Sequence, residues 1–270
     1  MTDLSFESGF DPVNPALRDE YHVDVANRTV HARWWHHADG PRPTIVCIHG
    51  FQAGQHLLNT VLFDIPWLFA QGLDVVQFVL PHHGARATAI DGWHYLGLDI
   101  GRTAEAVAHS VWDVRTVVSH LLSQGVPRVG VAGVSLGGYV AALLPGLDDR
   151  LDFAIPVSPA TSMADLFRDL GLISPILPRM LSRVGWQVED MRRHMAVHTP
   201  LAHTPKVASE RMLVVGAVRD GITRPYQQHL LWQHWGEPEM FWHSGGHQLH
   251  LNRRDYRGVL RDFLARIGVT

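Results

Sequence analysis

The stretch Val129-Gly-Val-Ala-Gly133-Val-Ser135-Leu-Gly137-Gly138-Tyr-Val140 decides how the rest of the chain is read. Its first four residues have the β-branched character of a buried strand, and Tyr139-Val-Ala-Ala-Leu-Leu144 opens a small-residue apolar helix. Between them, Gly133-Val-Ser-Leu-Gly137 has the Gly-x-Ser-x-Gly form of a strand-to-helix turn, which holds its serine on a sharp, strained corner. A Cβ at the flanking glycines would collide with the neighbouring strand and helix. The serine hydroxyl then stands above the sheet, and the N–H of the next residue, Leu136, points to where an oxyanion would form. Such a pattern also arises by chance, and a glycine turn can serve close packing alone. The motif takes its weight from its surroundings.

The surroundings agree with it. Thr44-Ile-Val-Cys-Ile48 and Asp74-Val-Val-Gln-Phe-Val-Leu80 read as strands buried on both faces. Phe153-Ala-Ile-Pro-Val157, Arg211-Met-Leu-Val-Val-Gly-Ala217 and Glu239-Met-Phe-Trp242 read as further strands. Over residues 104–123, Val107, Val111, Val114, Val118, Leu121 and Leu122 recur at steps of three and four, which predicts an amphipathic helix. Other helices are expected over 57–70 (broken near Pro66), 226–235 and 256–267. Strands alternating with helices predict an α/β fold: a mostly parallel twisted sheet of about eight strands with helices on both faces. At the N-terminus, residues 1–19 read as an extended arm. Tyr21-His-Val-Asp-Val25 and Thr29-Val-His-Ala-Arg-Trp-Trp35 then predict an antiparallel hairpin about Ala26-Asn27-Arg28.

Residues 158–205 break the rhythm. Short helical pieces over 166–170, 176–184 and 188–197 are mixed with prolines, and Met163, Met180, Met191 and Met195 concentrate there. Loops this long in compact domains are usually functional, so a small helical cap is expected, inserted within one domain spanning 1–270. The plainer alternative is a long crossover with methionines as core filler.

Composition bounds the function. At 46% hydrophobic and 18% charged residues, the chain can bury a large core, which excludes global disorder. The net charge is −3 and no basic block stands out, which argues against a nucleic-acid partner. The one cysteine, Cys47, can form no intrachain disulfide. The first residues lack a basic segment followed by an apolar one, and no apolar run reaches the roughly 20 residues of a membrane span. The expectation is a cytoplasmic protein with no membrane span.

A serine hydroxyl is a weak nucleophile that needs a base and oxyanion donors. Ser135 is the candidate nucleophile. Asp220, after a buried strand and before Gly221, is the candidate acid, with Asp165 its weaker rival. His247, on a Gly245-Gly246 loop after the last strand, is the candidate base, with His243 and His250 as rivals. All three lie where the carboxyl ends of parallel strands meet a crevice. Asp148, Asp149 and Asp152 read as solvated turn residues. The pairs His36-His37 and His82-His83 invite a metal reading. Adjacent histidines cannot both face one site from a strand, however, and no HExxH or cysteine pair accompanies them. No metal or cofactor is expected. His49, Gln52, His82, His83 and Met163 are candidate lining for a substrate pocket.

Over about residues 20–267 the chain resembles a serine hydrolase, esterase-like, of the alpha/beta-hydrolase superfamily. The resemblance rests on His49-Gly50-Phe51, the GVSLGG elbow, the VVGAVRD acid loop and the SGGH loop. It implies that Ser135 is acylated, that His247 acts as general base and then general acid, and that Asp220 fixes the imidazole tautomer. It further implies an oxyanion hole from the backbone N–H groups of Phe51 and Leu136. The reaction so implied is cleavage of a small-molecule carboxylic ester, or thioester, through an acyl-serine. An acyltransferase or amidase would use the same triad, and a non-hydrolytic ligand-binding member of the fold is the rival from another class.

Overall fold

Five strands whose residues are all buried form the middle of the structure: β3 (Thr44–Ile48), β4 (Asp74–Phe78), β5 (Val129–Val134), β6 (Phe153–Val157) and β7 (Leu213–Ala217). The structure is a computed structural model that describes every residue except 89, 98, 174, 175, 177, 178, 180–182, 184, 186 and 248–252. With β1 (Thr2–Glu7), β2 (Thr29–Trp35) and β8 (Glu239–His243), the central strands make one eight-stranded sheet in the order β1-β2-β4-β3-β5-β6-β7-β8. β1 and β2 are antiparallel to their neighbours, and every other pairing is parallel.

Alternate strand residues feed two apolar layers, as period-2 geometry requires. Val46, Ile48, Val129, Val131 and Val214 face one layer, filled by α5 (Ile100–Ser123) and α6 (Leu136–Leu147). Ile45, Cys47, Ala132, Val134, Leu213 and Val215 face the other. That side is filled by α4 (Ile65–Ala70), which follows α3 (His56–Leu62), and by the C-terminal α10 (Arg253–Arg266). α5 starts four residues before the periodic pattern because the Asp99 side chain caps it, accepting the Arg102 N–H at 3.1 Å.

An antiparallel pair edges the sheet, but its outer strand is Thr2–Glu7, not residues 21–25. Residues 21–25 belong to α1 (Pro15–Val23) and α2 (Val25–Arg28). Asn14 accepts the Ala16 N–H and Pro15 occupies the first helical position, so the chain is committed to helix there. In β1, Leu4 and Phe6 face inward while Asp3, Ser5 and Glu7 are exposed, the alternation of an edge strand. The segment after β1 is tied down by a buried polar cluster. Ser8 Oγ donates to Asp113 Oδ1 (2.5 Å), and the Arg86 guanidinium donates to Asp113 Oδ2 (2.8 Å) and the Asn27 carbonyl (2.7 Å).

Among the described residues, α7 (Met163–Ile173) and α8 (Val188–His194) lie between β6 and β7, followed by three short 3-10 turns. The helix expected over 176–184 falls largely outside the described residues. α9 (Pro225–His234) links β7 to β8. No helix among the described residues is long and apolar enough to cross a membrane.

Candidate active site

Ser135 sits between β5 and α6 with φ 56° and ψ −113°, a backbone conformation a non-glycine residue holds only under strain. The surrounding packing enforces it. Ser135 N–H donates to the Val157 carbonyl (2.9 Å), and its own carbonyl accepts the Tyr139 N–H (2.9 Å). A Cβ on Gly133 would overlap the Gly137 carbonyl, and one on Gly137 would overlap the Ile48 carbonyl on β3. The first glycine therefore lets the helix approach the strand, and the second lets the helix approach the sheet.

Two loops bring partners to this serine. The segment after β8 places His247 Nε2 at 2.8 Å from Ser135 Oγ, and His247 Nδ1 lies 2.8 Å from Asp220 Oδ2. A carboxylate only accepts, so Nδ1 carries the proton and Nε2 is left to accept from the serine. Asp220 follows β7 and is held on both oxygens. Oδ1 accepts the N–H groups of Ile222 and Thr223, each at 2.9 Å. Oδ2 faces the Thr223 hydroxyl (2.9 Å) and the Gln228 side-chain amide (3.3 Å). Burial opposes the Asp220 charge, but the His247 hydrogen bond, the imidazole charge and these other donors outweigh it and hold the carboxyl below the usual carboxylate range.

Thr223 and Gln228 were not singled out in the sequence. The Thr223 hydroxyl lies within reach of Asp220 Oδ2, the Ser158 carbonyl (3.0 Å) and His247 Nδ1 (3.2 Å). Gln228 accepts the Ala217 N–H with Oε1 (3.1 Å), which turns its NH₂ toward Asp220 and the Thr223 carbonyl (2.8 Å). Their signal was a Thr and a Gln shortly after a candidate acid, too common a pattern to notice.

Ser135 and His247 open onto a cavity of about 770 Å³. It is lined by Gly50, Phe51, Gln52 and Ala53 after β3, by Leu58 and Leu62 of α3, and by Leu96, Val134 and Leu136. Ala160, the α7 residues Met163, Leu166, Phe167 and Leu170, and the acid-loop residues Ile222 and Thr223 complete it. The loop after β3 passes so close to the elbow that a methyl on Gly50 would lie 3.5 Å from Ser135 Cβ. Leu136 opens α6, so its N–H has no carbonyl partner within the helix.

Of the five residues expected to line a pocket, Gln52 and Met163 do so. His49, His82 and His83 are instead buried behind the lining. His49 Nδ1 donates to the Gly50 carbonyl (2.7 Å) and Nε2 accepts the Leu80 N–H (3.1 Å), tying the loop after β3 to the end of β4. Burial, aided by the neighbouring His83, lowers its pKa to about 3, so it stays neutral. His83 donates through Nδ1 to the Pro81 carbonyl (2.8 Å) and packs edge-on against Tyr95. Among the rivals, Asp165 pairs with Arg192 at 2.9 Å and His243 Nδ1 accepts the Gly245 N–H at 3.2 Å. His250 lies outside the described residues.

Asp24, His82 and His94 each bring a potential ligand atom within 4.8 Å of the others. Asn27 Oδ1 accepts the His82 backbone N–H (2.9 Å), which turns the Asn27 NH₂ onto His82 Nε2 (3.2 Å). Nδ1 therefore carries the ring proton toward Asp24 (3.5 Å) and has no lone pair to offer a cation. His37 donates to Asp74 (2.8 Å) and stacks on Phe69, while His36 bonds Thr2, so that pair braces the sheet edge.

No protein-family model matches the chain. Two uncharacterized proteins of Mycobacterium tuberculosis, from strains CDC 1551 / Oshkosh and H37Rv, are each 31% identical to it over 279 residues. The match takes in 98% of this chain but 64% of each relative, so the chain spans less than two thirds of their length. Among solved structures, acetyl xylan esterase 1 from Thermoanaerobacterium sp. JW/SL YS485 superposes with a TM-score of 0.68 at 17% identity, over 89% of this chain and 80% of that one. The Pyrococcus furiosus esterase Pf2001 superposes at 0.62 and 15% identity, over 99% and 93%. The putative non-heme bromoperoxidase BpoC of M. tuberculosis H37Rv superposes at 0.58 and 15%, over 88% and 96%. Likeness at such identities speaks to architecture alone, and the strand order and these neighbours agree on it: the chain has the fold of the alpha/beta hydrolases.

Proposed function

We propose that the protein is a serine hydrolase that cleaves a carboxylic ester through an acyl-serine intermediate. The observation that carries this reading is the unbroken hydrogen-bond chain Ser135 Oγ–His247 Nε2 and His247 Nδ1–Asp220 Oδ2, with the serine facing a cavity. Ser135 Oγ attacks the ester carbonyl carbon as its proton passes to His247 Nε2. Asp220 holds the imidazolium through Nδ1–H, and the N–H groups of Phe51 and Leu136 receive the oxyanion. The tetrahedral intermediate collapses, the C–O bond to the alcohol breaks, and His247 returns the proton to the departing oxygen. Water, deprotonated by His247, then attacks the acyl-serine and releases the acid with Ser135 restored.

In this reading residues 1–270 form one unit, and 158–205 is an insertion that contributes α7 to the cavity wall. Its lone cysteine, buried on β3, fits work in the cytoplasm. The test is covalent labelling by a fluorophosphonate together with hydrolysis of p-nitrophenyl esters. Labelling at Ser135, and loss of both signals in Ser135→Ala and His247→Ala, is the expected result. Ester hydrolysis at the parental rate in folded Ser135→Ala would refute the assignment.

A further inference from the structure

The geometry points to an apolar acyl chain of medium length, about eight carbons, as the occupant of the cavity beside Ser135, in preference to an acetyl group or a sugar-borne ester. This inference rests on the ester-hydrolase reading above. Met163, Leu166, Phe167 and Leu170 of α7 stand at i, i+3, i+4 and i+7, and all four line the cavity. At 1.5 Å rise per residue they make a wall about 10 Å long, the span of an extended chain of about eight carbons. Leu58 and Leu62, one turn apart on α3, add further apolar lining.

The polar side of the lining is sparse. Among the described lining residues none is Asp, Glu, Lys or Arg, and apart from Ser135 and His247 only Gln52 and Thr223 carry polar side chains. The Thr223 hydroxyl is already engaged with Asp220 and the Ser158 carbonyl. A carbohydrate entering here would shed water from several hydroxyl groups and find little but Gln52 to replace it, which is costly. A charged acyl tail would find no counter-ion. An alkyl chain loses nothing by the same transfer and gains from it.

The wall is also braced. Asp169, buried on α7, accepts from the Tyr226 hydroxyl (2.7 Å) and the Gln227 amide (3.2 Å) of α9, and Asp165 pairs with Arg192 of α8 at 2.9 Å. These contacts hold the apolar face of α7 toward the cavity before any ligand arrives, so little ordering has to accompany binding.

The experiment is kcat/KM for the full chain on p-nitrophenyl esters from acetyl to palmitoyl. We expect a climb of about threefold per added methylene up to octanoyl, then a plateau or fall. Over the six added methylenes the octanoyl-to-acetyl ratio should therefore reach about 700-fold, and Leu166→Trp, which shortens the wall, should cut it about tenfold. A ratio is read within one preparation, and the parent series decides the matter even where that variant fails to fold. Preference for the acetyl ester, with activity lost in Ser135→Ala, would overturn this inference and leave the hydrolase reading standing. Absence of ester cleavage and of Ser135 labelling would overturn both.

Discussion

Asp220→Asn probes the site through its hydrogen-bond polarity. Among the described residues, Asp220 Oδ1 faces two backbone N–H donors, from Ile222 and Thr223, and nothing that could accept. An asparagine must therefore put its oxygen there and turn its NH₂ to the Oδ2 position. That position faces His247 Nδ1 at 2.8 Å, the Thr223 hydroxyl and the Gln228 NH₂, whose orientation the Ala217 N–H fixes. The imidazole can then meet the new amide only by accepting at Nδ1, which moves its proton to Nε2 and points a donor at Ser135. On the proposed roles, His247 is thus in the wrong tautomer to act as base, and the carboxylate that would stabilise its imidazolium is gone. Where a triad carboxylate has been changed in this way, kcat falls about 10⁴-fold. The Gln228 NH₂ keeps the Thr223 carbonyl, but the N–H it turned to Asp220 loses its acceptor, which costs about 1–3 kcal/mol of stability. The assay is kcat on the best p-nitrophenyl ester, with far-UV circular dichroism and a thermal melt to establish folding. A folded variant within tenfold of the parental kcat would refute the assignment of Asp220 and the tautomer argument with it.

Thr223→Val removes a hydroxyl that steadies both Asp220 and His247, and should lower kcat about tenfold with KM little changed; Thr223→Ser should retain near-parental kcat, and a serine variant as slow as the valine one would refute a role carried by the hydroxyl alone. His49 and His83 have folded-state pKa values lowered by burial to about 3 and about 4, so in falling pH the unfolded chain takes up protons first. Stability is then whole above about pH 6.5 and should decline by about 2–3 kcal/mol per histidine by pH 4.5. Urea midpoints that stay level across that window, which lies above most carboxylate titration, would contradict this. Arg86→Met takes the guanidinium from the buried Asp113 carboxylate, which keeps the Ser8 hydroxyl, and from the Asn27 carbonyl, and should cost about 3–5 kcal/mol in urea denaturation. A loss under 1 kcal/mol would mean that water replaces the guanidinium.

Some of this was open to reading along the chain, because the requirement is local. Strands buried on both faces must be continuous apolar runs, and helices between them must show one apolar stripe, so the alternation from β3 to the last helix and the parallel sheet follow from spacing alone. The elbow is local too, since carbonyl oxygens crowd the Cβ positions of Gly133 and Gly137. The placing of Ser135, Asp220 and His247 after strand ends needs only that those strands be parallel. What packing decided could not be read this way. Thr2–Glu7 is a strand because Thr29–Trp35 lies beside it, a partner more than twenty residues on, while the tyrosine-bearing segment that looked extended is helical under its caps. His49, His82 and His83 sit at strand ends as a pocket would require, yet their rings turn inward to backbone and side-chain partners. Thr223, Gln228 and the α7 wall acquire their places only when distant segments converge. Spacing determines which faces of an element are apolar, but the direction of a polar side chain is set by whichever donor or acceptor the folded chain brings to it.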